Sequence, residues 1–315
     1  MCPVVESVVT PAGPYSLALS ARHASDATRR FRDGRLDAVV LPRPAGPTSG
    51  LAATAAAVPE RASAWQRPDG AVVLRAATEG GLAAMRFQLA LDDDHTPFLE
   101  RYAGDALLGP ALRELRGLRQ LRVGSVAQAL LRALCGQLIL ASTARAIERA
   151  VIRAVAPASA GPPGTAGRDR LHAPPTSAQL ASLSPARLRA LGLHARRGAT
   201  LVRVCSGLDL ERLHDASTYA VAARLERERG LGPWSVGVVC LEGLGRTERG
   251  LVGDLGLVVL AGQLLGRRTE AHETAALLEP YGEWAGLASV YLLAGAGRGL
   301  VPVPAATGAG GNAAA

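Results

Sequence analysis

Lysine is absent. All 35 basic residues of the 315-residue chain are arginine, against 27 acids, for a formal net charge of +8. Without a lysine side chain, no lysine Schiff base can form during a reaction. Aromatic residues make up only 3% of the chain, so any binding pocket is expected to be poor in aromatic side chains. The 4 cysteines, Cys2, Cys135, Cys205 and Cys240, never fall into C-x-x-C spacing. That argues against a zinc site, an iron–sulfur cluster and a disulfide framework, and for a reduced, cytosolic compartment. No apolar run reaches membrane-spanning length without a charge, and residues 1–6 lack the basic start of a signal peptide. The expectation is a cytoplasmic protein with no membrane partner.

An arginine excess suits phosphate and stacked-base contacts. A compositional bias toward arginine and alanine would produce part of the same excess without any role in binding. The length predicts two domains with ample chain for a core.

Short β-like runs at 15–19, 36–41, 71–75 and 85–89 predict a small antiparallel sheet with one or two helices over 1–104. Arg67-Pro68-Asp69-Gly70 reads as a hairpin turn before the third run. From Asp105 the periodicity becomes helical, which makes the fold class α+β. A helix is predicted over 124–134 with Ser125 as its N-cap. It is interrupted at 135–140 and resumes over 142–155, with Arg145, Arg149 and Arg153 on one face. Residues 157–175 read as a loose surface connection, and Ser184-Pro185 as the cap and first position of a later helix. Final helices are expected over 270–278 and 283–293, and a disordered tail over 302–315.

The most informative stretch is Gly230-Leu231-Gly232-Pro233-Trp234. It is a glycine turn between predicted helices at 218–225 and 233–241, with proline at the first position of the second helix. Such a turn leaves backbone N–H groups aimed outward beside the positive end of a helix, a suitable place for a phosphate. A simple helix–helix turn is the plainer reading. Further on, Gly253-Asp254-Leu255-Gly256-Leu257 places one acid in an otherwise apolar run, 251–265, where an unpaired carboxylate would be expensive. Taken alone, Asp254 is most simply a helix N-cap.

Together these segments resemble the helix-hairpin-helix DNA glycosylases, in particular the 3-methyladenine DNA glycosylase II branch. The resemblance covers roughly 105–300 well and the first third loosely. It implies a helical glycosylase domain at 105–301 that acts on double-stranded DNA with damaged bases, as a monomer associated with the bacterial nucleoid in use. Asp254 takes the place of the catalytic aspartate. Gly230, Leu231, Gly232 and Trp234 take the place of the phosphate-gripping hairpin. Carbonyls of Glu226, Glu228 and Leu231 become candidate ligands of a sodium or potassium ion. The interruption Cys135-Gly136-Gln137-Leu138-Ile139-Leu140 is similar to the family's wedge loop, with Leu138 the wedge and Gln137 its polar neighbour. Leu140 stands where the family usually has serine, and an apolar loop buried in the core is the alternative. Trp234, Val238 and Leu293 fall at base-pocket positions, two of them without the usual aromatic ring. Packing of one helix against another is the alternative for Trp234.

The family's lyases use a hairpin lysine, so the implied activity is monofunctional hydrolysis, with alkylated purines as the expected substrates. Two rivals stay open: a non-catalytic lesion-binding protein of the same fold, and a glycosylase for deaminated or oxidised bases.

Overall fold

The computed structural model describes residues 4–43, 58–156, 158 and 170–303. Cys2, most of the connection expected over 157–175, and the tail from 304 lie outside the described residues.

The first part of the chain builds a five-stranded antiparallel sheet. Its strands are β1 (Val5–Val9), β2 (Arg29–Arg32), β3 (Arg35–Val40), β4 (Glu60–Gln66) and β5 (Val72–Ala76). In space they run β1-β5-β4-β3-β2. The β4–β5 turn is the one expected from Pro-Asp-Gly: Arg67 N donates to Ala71 O at 2.8 Å and Gly70 N to Arg67 O at 3.0 Å. Gly70 has φ +89, a conformation that glycine adopts freely. The expected strands at 36–41 and 71–75 are β3 and β5.

The other two expected strands are helices. Residues 15–19 enter α1 (Leu17–Ala21), because the Ser16 hydroxyl accepts from Leu19 N and caps the turn. Leu17 and Ala21, four residues apart, then bury one helical face. Residues 85–88 close α2 (Glu79–Gln88), which Thr78 caps through Gly81 N. Glu79 in its first turn favours the helix dipole. Leu82 and Met85 pack with Leu36 and Leu74 of the sheet, which sets a helical period over the apparent alternation at 85–89.

The rest is helical. α3 (Thr96–Arg101) and α4 (Gly109–Glu114) lead into α5 (Val126–Gly136), whose residues are nearly all buried. Ser125 caps α5 as expected, and Glu211 Oε1 also accepts from Val126 N at 2.8 Å. α6 (Ala141–Val155) follows after a short loop; on it Arg145 and Arg153 are exposed and Arg149 is half-buried. α7 (Ser177–Ala181), α8 (Pro185–Ala190, capped by Ser184) and α9 (Ala195–Gly207) complete one side. α10 (Thr218–Glu226), α11 (Pro233–Val238) with its continuation through Leu244, and α12 (Leu255–Leu265) come next. α13 (Thr274–Leu278) and α14 (Ala285–Ala296) end the described chain. α5 contributes to two apolar cores. Leu130 and Leu134 pack with α6, α9 and α10, whereas Ala133 packs with α12 and α14.

A buried charge cluster ties the sheet to these helices. Arg132 of α5 meets Asp26 at 2.7 Å, Glu148 of α6 at 3.0 Å and Glu242 beyond α11 at 2.8 Å. Arg29 of β2 joins through Asp26 at 3.5 Å and donates to Arg122 O at 2.6 Å. Removing one member of such a cluster leaves uncompensated charge, which typically costs about 3–5 kcal/mol. Arg132→Met is therefore expected to lose roughly that much stability in urea unfolding. A loss below about 1 kcal/mol, the scale of an exposed pair, would contradict the role given to Arg132.

Candidate active site

The hairpin turn forms as the glycine pattern predicts. Ser217 caps α10, and the turn closes with Glu228 N donating to Leu225 O and Leu231 N to Glu228 O, both at 3.0 Å. Gly230 has φ +95, and a Cβ there would stand 2.7 Å from Thr200 Oγ1. Gly232 is extended at φ −104, is exposed, and caps α11 without a side chain. The first amides of α11 after Pro233, those of Trp234 and Ser235, therefore have no capping side chain.

Neighbouring elements hold this turn by its carbonyls. Thr200 and Arg203 of α9 donate to Arg229 O at 3.1 and 2.6 Å. Gln137 Nε2 donates to Gly230 O at 2.9 Å and to Ser235 Oγ at 3.0 Å. Glu228 is held below the usual carboxylate range by the hydrogen bond from Arg224, with a second from Arg203. Gln137 thus latches the α5–α6 loop to the hairpin, and Leu138 beside it is 81% exposed at φ +54. The alternative of a loop buried in the core is overturned for Leu138. Ile139, by contrast, packs against the core.

Asp254 is the N-cap of α12, its Oδ1 accepting from Gly256 N at 2.8 Å. The second oxygen is not idle: Oδ2 accepts from the indole Nε1 of Trp234 at 3.0 Å. Both carboxylate oxygens are thereby fixed in direction. The preceding turn is held too, because Gly253 N, at φ +88, donates to the buried Thr274 hydroxyl at 2.8 Å.

Trp234 is half-buried, and a Cβ at Gly136 would stand 2.8 Å from its Cη2, so only glycine lets the ring lie there. Val238, 5% exposed, and half-buried Leu293 share one apolar cluster with Trp234. A Cβ at Gly256 would stand 2.5 Å from Leu293 Cδ2, which puts Leu293 directly against the first turn of α12. The structure thus gathers Trp234, Asp254 and Leu293 at one place, with Val238 buried in the same apolar cluster as Trp234 and Leu293.

Thr200, Arg203 and Ser235 carried no signal in the sequence, and Gly136 and Gly256 stood in the motifs without a role of their own. Burial pushes the thiols of Cys205 and Cys240 up to about 12, and that of Cys135 up as well. None of these three is a nucleophile at neutral pH.

The fold recurs in solved structures. The 3-methyladenine DNA glycosylase of Archaeoglobus fulgidus superposes with a TM-score of 0.74 over 93% of this chain and 98% of its own, at 15% identity. The 8-oxoguanine glycosylase/lyase of Clostridium acetobutylicum, in complex with double-stranded DNA, gives 0.73 over 95% and 99%, at 14% identity. In sequence, the DNA-3-methyladenine glycosylase of Bacillus subtilis is 25% identical over 209 residues, spanning 64% of this chain and 67% of that protein. The chain shares the fold of these two glycosylase structures and is similar in sequence to a third DNA glycosylase. No family model matches it. Among the described residues no helix is long and apolar enough to cross a membrane.

The two hairpin glycines are expected to behave differently as proteins. Gly230→Val strains the backbone and strikes Thr200, whereas a Cβ at Gly232 meets nothing within 4 Å. Thermal unfolding should show a clear loss for Gly230→Val and little change for Gly232→Val. Equal melting temperatures for the two would contradict the strained turn.

Proposed function

We propose that the protein is a monofunctional DNA glycosylase that extrudes a damaged base, an alkylated purine such as 3-methyladenine, and hydrolyses its N-glycosidic bond. The observation that carries this reading is the doubly held carboxylate of Asp254, set among Trp234, Val238 and Leu293 beside the hairpin. On this reading the helical segment 105–301 carries the chemistry and the sheet-bearing segment 1–104 braces it.

A base inside the duplex stack is out of reach, so the nucleotide must first be extruded into the site. The exposed turn at Gly230 and Gly232, with the uncapped start of α11, takes one phosphate of the strand. This contact is blind to sequence and sensitive to salt, as an all-arginine positive balance also implies. The same turn suits an alkali ion. Glu228 O accepts from Leu231 N and has a second lone pair, and the carbonyls of Glu226 and Leu231 lie in the same turn. Such an ion would add positive charge toward the phosphate. Leu138 would fill the gap left by the extruded nucleotide, and Gln137 keeps that loop in step with the hairpin.

An alkylated purine is already cationic. As the bond to C1′ breaks, its electron pair leaves with the base and the sugar becomes oxocarbenium-like. The Asp254 carboxylate, fixed by Trp234 and Gly256, faces that charge without having to reorganise. Water then bonds to C1′ and gives up a proton, to the carboxylate or to solvent. No lysine competes with water, so the DNA strand stays continuous at an abasic site. Trp234 gives its N–H to Asp254, which leaves an electron-rich ring for a cationic base, worth about 0.5–2 kcal/mol.

Asp254→Asn tests the assignment. The single amide oxygen can keep the cap or the indole bond but not both, so a modest loss of about 1 kcal/mol in stability is expected. Base release should fall by roughly 10²–10³, by analogy with the loss of one preorganised electrostatic group. DNA binding should persist. Parent-like release by the variant would return Asp254 to a purely capping role.

A further inference from the structure

Two rules of local structure are broken within three residues at the α5–α6 junction. Leu138 is a leucine in the left-handed region, at φ +54, and is 81% exposed. Leu140 is the N-cap of α6, at φ −60 and ψ 139, with no side-chain cap bond, and is 77% exposed. Most other helices entered from extended backbone are capped in the ordinary way: Ser125, Thr176, Ser184 and Ser217 each accept a bond from the first turn. A serine, threonine or aspartate at 140 would satisfy an amide of α6, whereas leucine satisfies none and exposes an apolar side chain. Ile139 between them packs against the core, so the two leucines flank an anchored residue.

We propose that Leu140 is a second wedge residue, which enters the duplex beside Leu138 and packs against the base opposite the extruded nucleotide. The proposal rests on the reading of the protein as a base-extruding glycosylase. It commits Leu140 to the complementary strand because Leu138 already takes the vacated place in the lesion strand, and the partner base is the remaining apolar surface within reach. Gln137 is latched to the hairpin, which takes the lesion strand, and the loop runs from that latch through Leu138 to Leu140. Residues two apart lie within about 7 Å of each other, the span of two base steps. One wedge residue fills the vacated place in its own strand. A second, apolar one removes the orphaned partner base from water and keeps it from drawing the extruded nucleotide back. The uncapped start of α6 is then a local loss of stability that this function offsets.

The test combines stability, stacking and turnover on two variants, Leu140→Ser and Leu140→Met. Serine should restore the cap and raise the melting temperature by about 1–3 °C. Methionine keeps the apolar contact. Stacking is read from 2-aminopurine placed opposite an abasic analogue in duplex DNA, whose fluorescence rises when the base leaves the stack. The expected result is a rise with the parent protein, a similar rise with Leu140→Met and none with Leu140→Ser. Release of base from paired lesions by Leu140→Ser should drop roughly tenfold, the size expected when one leucine loses its burial. A purely structural residue would show the stability gain with no loss of turnover. Equal fluorescence and equal base release for Leu140→Ser and parent would overturn the second wedge while leaving the glycosylase standing. No base release by the parent itself would remove the wider reading, and this one with it.

Discussion

The guanidinium of Arg132 is set between three carboxylates that come from different parts of the chain, Asp26, Glu148 and Glu242. The cost of desolvating these charges is offset only while each has its partner in place, so the arrangement admits little displacement of α5 against α6. The α5–α6 loop inherits that constraint. Its exposed leucines are presented by two helices pinned together a few residues away, rather than by a free surface loop.

From that junction the mechanical connection continues. Gln137 leaves α5 and takes hold of the hairpin through Gly230 O and Ser235 Oγ. Gly136, one residue earlier, leaves room for the Trp234 ring, and that ring delivers its N–H to Asp254. The α5–α6 loop, hairpin, indole and carboxylate are therefore one set of contacts. A shift in any of them is passed to the others as a lost hydrogen bond or a steric clash. On the proposed function, the distances that base extrusion and bond cleavage must coordinate are preset in this way.

Much of the helical part was legible because its signals are local. Ser125 and Ser184-Pro185 announce helix starts, and Gly230-Leu231-Gly232-Pro233 announces a turn into another. Asp254 was legible as a cap and as a candidate carboxylate, and the two roles use different oxygens. The sheet was harder. β4 is built from Glu60, Arg61, Ala62, Ser63 and Ala64 before its Trp65, and β2 is mostly arginine, so neither has strand propensity of its own. Residues 15–19 and 85–89 alternate like strands, yet Ser16 and Thr78 cap them into helices, and the sheet face they cover completes the burial. The bond between Trp234 and Asp254 was not legible, because no local pattern encodes a contact made only by tertiary packing. Gly136 shows the same limit: its need to be glycine comes from a ring on another helix.

The most direct measurement of the central claim is incubation of purified protein with methylated duplex DNA, with released bases and strand continuity both quantified. The expected result is free methylated purine in solution and an unbroken strand carrying an abasic site. Borohydride present during turnover should trap no covalent complex at any internal residue. Tight binding of the duplex with no base released would contradict the account, as would a strand cut through an internal covalent adduct.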